Sequence, residues 1–269
     1  MKNKISKIFF YLFLCFAVNC KTAEKKFVIL ISSYNNESFA IKNMRSAITQ
    51  EYNTYRIIFI NDCSSDSTYD LVFKFIDQHP KKNIVTLINN KERKLGLRNY
   101  YEAINEFTLD DEIIVCLDGD DFFPNKSVLS ILNEVYSSKT EEIWLTYGQF
   151  RCLSNGQIGW NVKIPDEIIK NRDFRKYEHT PTHLRTFYSW LFKKIKKEDL
   201  LINGNFYQMS WDCAFMYPML EMSGDRFKFI NQVIYLYNDI NPINDHKTNK
   251  ELQRYYYYHI KSLKKYDKL

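Results

Sequence analysis

Glycine is scarce in this chain, 7 of 269 residues, and the first apolar run ends in "SSYNNE" with none. A Gly-rich loop that cradles phosphates after the first strand is therefore not expected. Six cysteines are present, two of them (Cys15 and Cys20) near the N-terminus. Cys63, Cys116, Cys152 and Cys213 show no CxxC spacing and no neighbouring His pair, which argues against a zinc ribbon or finger. Their scatter gives no disulfide connectivity, and Cys116, inside an apolar run, reads as a small buried hydrophobe. No Arg-rich stripe accompanies the net charge of +6, so nucleic acid is not expected as a partner. No internal repeat or low-complexity linker breaks the chain.

Long apolar runs are also missing after the first twenty-odd residues. There, Lys2, Lys4 and Lys7 precede eleven apolar residues, Ile8 to Val18. The run is short for a membrane span and fits a signal segment. Residues 1–22 are expected to be a signal peptide, a lipoprotein signal ending in "FAVNC", or an uncleaved anchor. The protein is then exported or membrane-associated. Lys21, Lys25 and Lys26 behind the run leave a cytoplasmic-face orientation open.

What is present is apolar and aromatic, 45% and 16%, enough for a sizeable core. Four runs share one design: "KFVILISSYNNE", "YRIIFINDCSSDS", "NIVTLINNK" and "EIIVCLDGDD". Each is nearly continuous in apolar residues and ends polar, as strands covered on both faces do. The stretches between read as helices: Glu37 to Gln50, Asp66 to His79 with Leu71, Val72, Phe75 and Ile76 inward, and Gly96 to Phe107. A further helix runs from Asn125 to Ser137. The fold class is α/β, with a mostly parallel central sheet and helices on both faces. The second half is less regular, with a helix near Ser210 to Glu221, a strand-like "FKFINQVIYLYND" and a helical tail.

In such sheets ligands bind beyond the carboxyl ends of the strands. "IIVCLDGDDFF" crowds Asp118, Asp120 and Asp121 at one such end. Mutual repulsion makes that cluster costly unless a cation neutralises it, and hard oxygen ligands suit Mg2+ or Mn2+. A solvated turn is the plain alternative.

The ordered segments "VILISSYNNE", "IIFINDCSSDSTYDLV", "GLRNY" and "VCLDGDDFF" resemble the family 2 glycosyltransferases of GT-A fold. The resemblance is close from Phe27 to Asn133 and looser to about residue 245. It implies a domain at 25–245, with a nucleotide-sugar half (25–135), an acceptor half (136–245) and a helical tail (246–269). It implies inverting, single transfer from a nucleotide sugar, UDP-linked by expectation, to a hydroxyl of a saccharide, lipid or protein. No QxxRW-like segment or set of membrane helices suggests processive polymer synthesis.

By position, Ser33 and Tyr34 would line the base, Asp62 would accept a hydrogen bond from its edge, and Arg98 would sit near the diphosphate. Asp118 and Asp120 match the family's DxD, Asp120 as metal ligand and Asp118 toward the nucleotide sugar, with Asp121 behind them. Asp212, in "MSWDCAFMYPMLEM", takes the place of the base, although Trp211 stands where the family usually has Glu. His246 is a candidate metal ligand, and His183 and Arg185 in "THLRT" are candidates for the diphosphate or the acceptor. Bland roles compete: Tyr34 as an exposed loop aromatic, Asp62 in an Asx-turn, Arg98 paired with Glu102, Asp212 as a helix N-terminal acid, and His246 as a solvated loop residue. The alternative functions are a nucleotide-binding protein with an inactive domain, a nucleotidyltransferase, and a phosphatase, the last weakened because Phe122 follows the acids.

Overall fold

A computed structural model describes residues 24–178 and 181–269, without the side chains at 245 and 246. The expected leader lies outside the described residues. Four strands form as the apolar runs suggest: β1 (Phe27–Ser33), β2 (Tyr55–Asn61), β3 (Val85–Asn89) and β4 (Ile113–Cys116). Helices α1 (Glu37–Ile48), α2 (Thr68–Asp77) and α3 (Leu95–Phe107) connect them. β1 pairs in parallel with β2 and β4, and β2 with β3, with Ser33 opposite Asn61 and Asn61 opposite Asn89. The polar strand ends are therefore brought level along one rim.

Alternation explains why these strands are apolar throughout. Val28, Leu30, Ile58, Ile60, Ile114 and Cys116 face a core shared with α3 and the later helices. Phe27, Ile29, Ile31, Ile57, Phe59, Ile113 and Val115 face a second core under α1 and α2. Each such side chain contributes about 1.5–3 kcal/mol by leaving water. β3, at the sheet edge, is only partly covered. Leu71 points outward rather than into the core, while Val72 and Ile76 are buried.

After α4 (Val128–Tyr136) the topology changes. The remaining strands of the sheet are β5 (Leu145–Cys152), β6 (Arg185–Tyr188) and β9 (Phe227–Tyr237). The order is β3-β2-β1-β4-β6-β5-β9, with β6 antiparallel to both neighbours. Between β5 and β9 the chain forms α5 (Asp166–Asn171), α6 (Ser189–Lys193) and a small β7 (Leu201–Ile202), β8 (Asn205–Phe206) pair. The helix α7 (Trp211–Ser223) then fills the core on one face. α8 (Asp245–Thr248) and α9 (Lys250–Ser262) close the chain.

The tail is strapped onto α7 rather than projecting. Ile260 is fully buried. The buried Arg175–Glu221 pair (2.7 Å) also donates to the Ile260 carbonyl and accepts from the Tyr266 amide. No helix among the described residues is long and apolar enough to cross a membrane. Among the described residues no cysteine is in a disulfide, and Cys116 is buried as expected.

Candidate active site

A cavity of about 580 Å³ opens at the rim where β1, β2 and β4 end. One wall carries Tyr34, Asp62, Arg93 and the Asp118–Asp121 turn. A second wall, meeting the first at Asp118, carries His183, Arg185, Asp212 and the first turns of α9.

The acidic turn can pack this closely because Gly119 has no side chain. A Cβ there would lie 2.6 Å from Ser33 Cβ and Oγ. Asn43 from α1 donates to the carbonyls of Asp118 (2.8 Å) and Asp121 (2.7 Å) and fixes the loop from behind. Asp121 accepts from Tyr235 Oη (2.5 Å) and the Asn238 amide (2.6 Å), and Asp120 from Asn241 Nδ2 (2.6 Å). Burial pushes the Asp120 carboxyl up to about 6, against the Asn241 hydrogen bond, and Asp118 adds repulsion. Burial, then repulsion from Asp120 and Asp118, raises Asp121 well above the carboxylate range. Burial also raises Asp118, although Arg185 pulls it back. Ionising all three acids would thus put more negative charge on the turn than its protein neighbours compensate.

Arg185 joins the two walls. Its guanidinium donates to Asp212 Oδ2 (2.8 Å) and Asp118 Oδ2 (3.3 Å), and its side chain is 2% exposed. Burial opposes its charge, but Asp118 and Asp212 overcome that and hold it above its ordinary value. Asp212 opens α7, with Oδ1 accepting from the Cys213 amide (3.0 Å). It therefore combines the helix-terminal acid and the cavity-facing carboxylate. Trp211 beside it is a packing residue: its ring lies 5.1 Å from Tyr100 and fits over Gly96, where a Cβ would come within 2.8 Å. It locks the N-terminus of α7 to the start of α3.

On the first wall, the Arg93 guanidinium stacks 3.6 Å from the centre of the Tyr34 ring, which faces the cavity. Asp62 is buried and accepts from the amides of Lys94 and Leu95 (both 2.8 Å) and from Asn90 Nδ2 (2.9 Å). It caps the start of α3, and Oδ2, with a single partner, retains capacity for one more donor.

Two expected wall residues lie elsewhere. Ser33 is buried behind Gly119, accepting from Asn36 Nδ2 (3.2 Å), because strand alternation turns Ser32 to the cavity instead. Arg98 points away from the cavity and pairs with Glu102 (2.8 Å) and Glu92 (3.3 Å) on the surface of α3. Arg93, Arg185 and Arg254 are the arginines that line the cavity.

The set that could hold a metal ion also differs from expectation. Asp118, Asp121 and His183 each present a ligand atom within 4.8 Å of one another. Asp120 lines the cavity beside them but lies outside that trio, and Asp121, expected behind the ligands, lies within it. His183 is stacked on Tyr235 (4.6 Å) and Tyr237 (5.1 Å), and its buried Nδ1 has no hydrogen-bond partner. Burial, reinforced by Arg185, pushes its pKa well below the usual value, so the ring is neutral with a nitrogen lone pair to give. An orphaned imidazole nitrogen 3.6 Å from Asp118 Oδ2, among undercompensated carboxylates, fits a divalent cation. The His246 side chain falls outside the described residues.

The sequence reading missed Arg93, Asn241 and the Tyr235–Tyr237 pair. The tyrosines carried a signal: alternate positions on an extended run share a face. Arg93 and Asn241 sit in loops where no periodicity marks them.

Among solved structures, the fold is similar to S. aureus TarS 1-349 in complex with UDP-GlcNAc, TM-score 0.60 at 14% identity, covering 87% of this chain and 64% of that one. It is also similar to the mannosyltransferase PcManGT from Pyrobaculum calidifontis in complex with GDP-Man and Mn2+, TM-score 0.60 at 16% identity, covering 91% and 67%. These likenesses establish the GT-A fold. A sequence relative is the Escherichia coli UDP-Glc:alpha-D-GlcNAc-diphosphoundecaprenol beta-1,3-glucosyltransferase WfaP, 28% identical over 141 residues, 52% of each chain. Another is a processive diacylglycerol beta-glycosyltransferase of Mycoplasma genitalium, 29% identical over 112 residues, 41% of this chain and 32% of the relative. The matches thus span about half the length of the first relative and a third of the second. Residues 28–216, well over half of the chain, match the model of Glycosyl transferase family 2, and the chain belongs to that family.

Proposed function

We propose that the protein is a metal-dependent, inverting glycosyltransferase that moves one sugar from a nucleotide-sugar donor, UDP-linked, to a hydroxyl acceptor. The observation that carries the reading is convergence. Tyr34, the acidic turn and Asp212 come from distant parts of the chain and line one cavity, with Arg185 bridging Asp118 and Asp212. The names of the E. coli relative and of the TarS complex include UDP-sugars, which supports the UDP assignment.

The chain's own residues divide the work. Tyr34 offers a ring face to the nucleotide base, and Asp62 one free acceptor site to its edge. Asp118, Asp121 and His183, with Asp120 adjacent, would hold Mn2+ or Mg2+. When bound, the ion neutralises charge on the departing diphosphate. Arg185 and the Cys213 amide orient the Asp212 carboxylate. In the transfer, the acceptor oxygen bonds to the anomeric carbon as the bond from that carbon to the phosphate oxygen breaks. The electron pair leaves with the nucleoside diphosphate, and the acceptor's proton passes to Asp212. Attack from the face opposite the leaving group inverts the centre.

A nucleotide-binding protein without turnover was the main alternative, suggested by Trp211. Its ring packs against Gly96 and Tyr100, and Asp212 still presents a carboxylate to the cavity. Incubation with UDP-sugars and Mn2+ tests the reading: UDP release that is abolished in Asp212→Asn is expected. UDP binding with no turnover in the native protein, with any UDP-sugar or acceptor, would favour the binding protein.

A further inference from the structure

α9 places unneutralised positive charge on the cavity that Asp212 also lines. Lys250 and Arg254, one helical turn apart, both line it, with Gln253 and Tyr257. Ser210 Oγ donates to the Gln253 carbonyl (3.0 Å), which docks this stretch against the residue preceding α7. Among the described residues no carboxylate pairs with Lys250 or Arg254, whereas Arg98 has two such partners and Arg175 one. The donor's diphosphate is assigned to the acidic turn on the other wall. A neutral saccharide would leave the two cations without a partner.

Arg254 also borders a second, shallow groove on the outer side of α9, with Tyr255, Tyr258 and His259. Tyr255 and Tyr258 are each 55% exposed, and the Arg254 guanidinium lies 5.5 Å from the Tyr258 ring. Moving outward from Asp212, the surface therefore offers a base, then two cations, then an aromatic groove. We propose that α9 is the acceptor's recognition element and that the acceptor is an amphiphile, a sugar joined through phosphate to an apolar tail. Its hydroxyl meets Asp212, its phosphates meet Lys250 and Arg254, and the start of its tail covers Tyr255 and Tyr258. This rests on the donor assignment above.

The test uses two sugar-free probes, methyl diphosphate and octyl diphosphate. Each is titrated calorimetrically into the full chain, with and without saturating UDP and Mn2+. Octyl diphosphate is expected to bind the UDP-loaded protein more tightly than methyl diphosphate. Lys250→Gln combined with Arg254→Gln should weaken it at least ~tenfold, about 1.4 kcal/mol, while UDP affinity stays within about twofold. Tyr255→Ser with Tyr258→Ser should remove the advantage of the octyl chain. All four positions are on the solvent-facing side of the helix, so folding is not at stake. Octyl diphosphate that competes with UDP, fails to bind, or ignores the glutamine pair would overturn the subsite. Equal binding of the two probes would overturn the tail contact. Failure of the native protein to bind UDP would count against the donor assignment alone, since the titrations without UDP still decide on α9.

Discussion

The two walls of the cavity are assembled in different ways. The donor-side wall draws Tyr34, Asp62 and the Asp118–Asp121 turn from just beyond three adjacent parallel strands, where register alone aligns them. The second wall draws Arg185 from an antiparallel strand, His183 from the bend just before it, Asp212 from a helix start and Lys250 and Arg254 from the tail. The first wall is local topology. The second exists only when the tail is strapped to α7 and Arg185 reaches across to Asp118. A defect at Tyr34 or Asp62 should therefore disturb nucleotide binding, and one at Asp212 or Arg185 should disturb chemistry or stability.

The largest expected effect sharpens that contrast. Asp212→Asn should lower kcat about 10²–10⁴-fold while leaving UDP affinity in Mn2+ unchanged, measured by steady-state kinetics beside calorimetry. A parallel loss of UDP affinity would show that the walls do not divide the work. Next is Arg185→Met. It leaves Asp118 and Asp212 without their shared cation, and about 3–5 kcal/mol of stability should be lost in chemical denaturation. Arg185→Lys should recover part of it.

How much of this was legible in the sequence follows the same division. Continuous apolar runs identified β1 to β4, and their polar ends located Tyr34, Asp62 and the acids, because a parallel sheet converts strand order into a rim. Ser33 failed for a one-residue reason: alternation sends it inward and Ser32 outward. Arg98 failed because helix periodicity cannot tell a cavity-facing arginine from one paired with Glu102. On the second wall, "THLRT" carried the His183 and Arg185 signal, yet nothing local showed that β6 would lie beside β4 and aim them at Asp118. The contribution of α9 was invisible, since Lys250 and Arg254 look like any solvated helix face until the tail is placed.

A smaller effect concerns pH. With Asp120 raised from 3.8 to about 6, the folded protein holds extra protons between those values. Without metal, the acidic turn's contribution to stability should therefore fall as pH rises through that window. A cation competes with those protons. The rise in Tm on adding Mn2+ should accordingly be larger near about pH 7.5 than near about pH 5; equal shifts would mean the acids do not bind the ion. The smallest effect is expected at Arg98. Its pairs are exposed, so Arg98→Ala should change stability by about 0–1 kcal/mol and leave the donor KM unchanged. A large rise in KM would return it to the donor wall.

The claim on which the rest depends is that the acidic rim grips a divalent ion and, with it, the nucleoside diphosphate. Calorimetric titration of UDP into the native protein and Asp118→Asn, each with Mn2+ and with chelator, tests it most directly. The expected result is UDP binding that strengthens at least about tenfold with Mn2+ in the native protein, with that gain lost in the variant. UDP affinity that is the same with chelator, or a Mn2+ gain that survives in Asp118→Asn, would contradict the account.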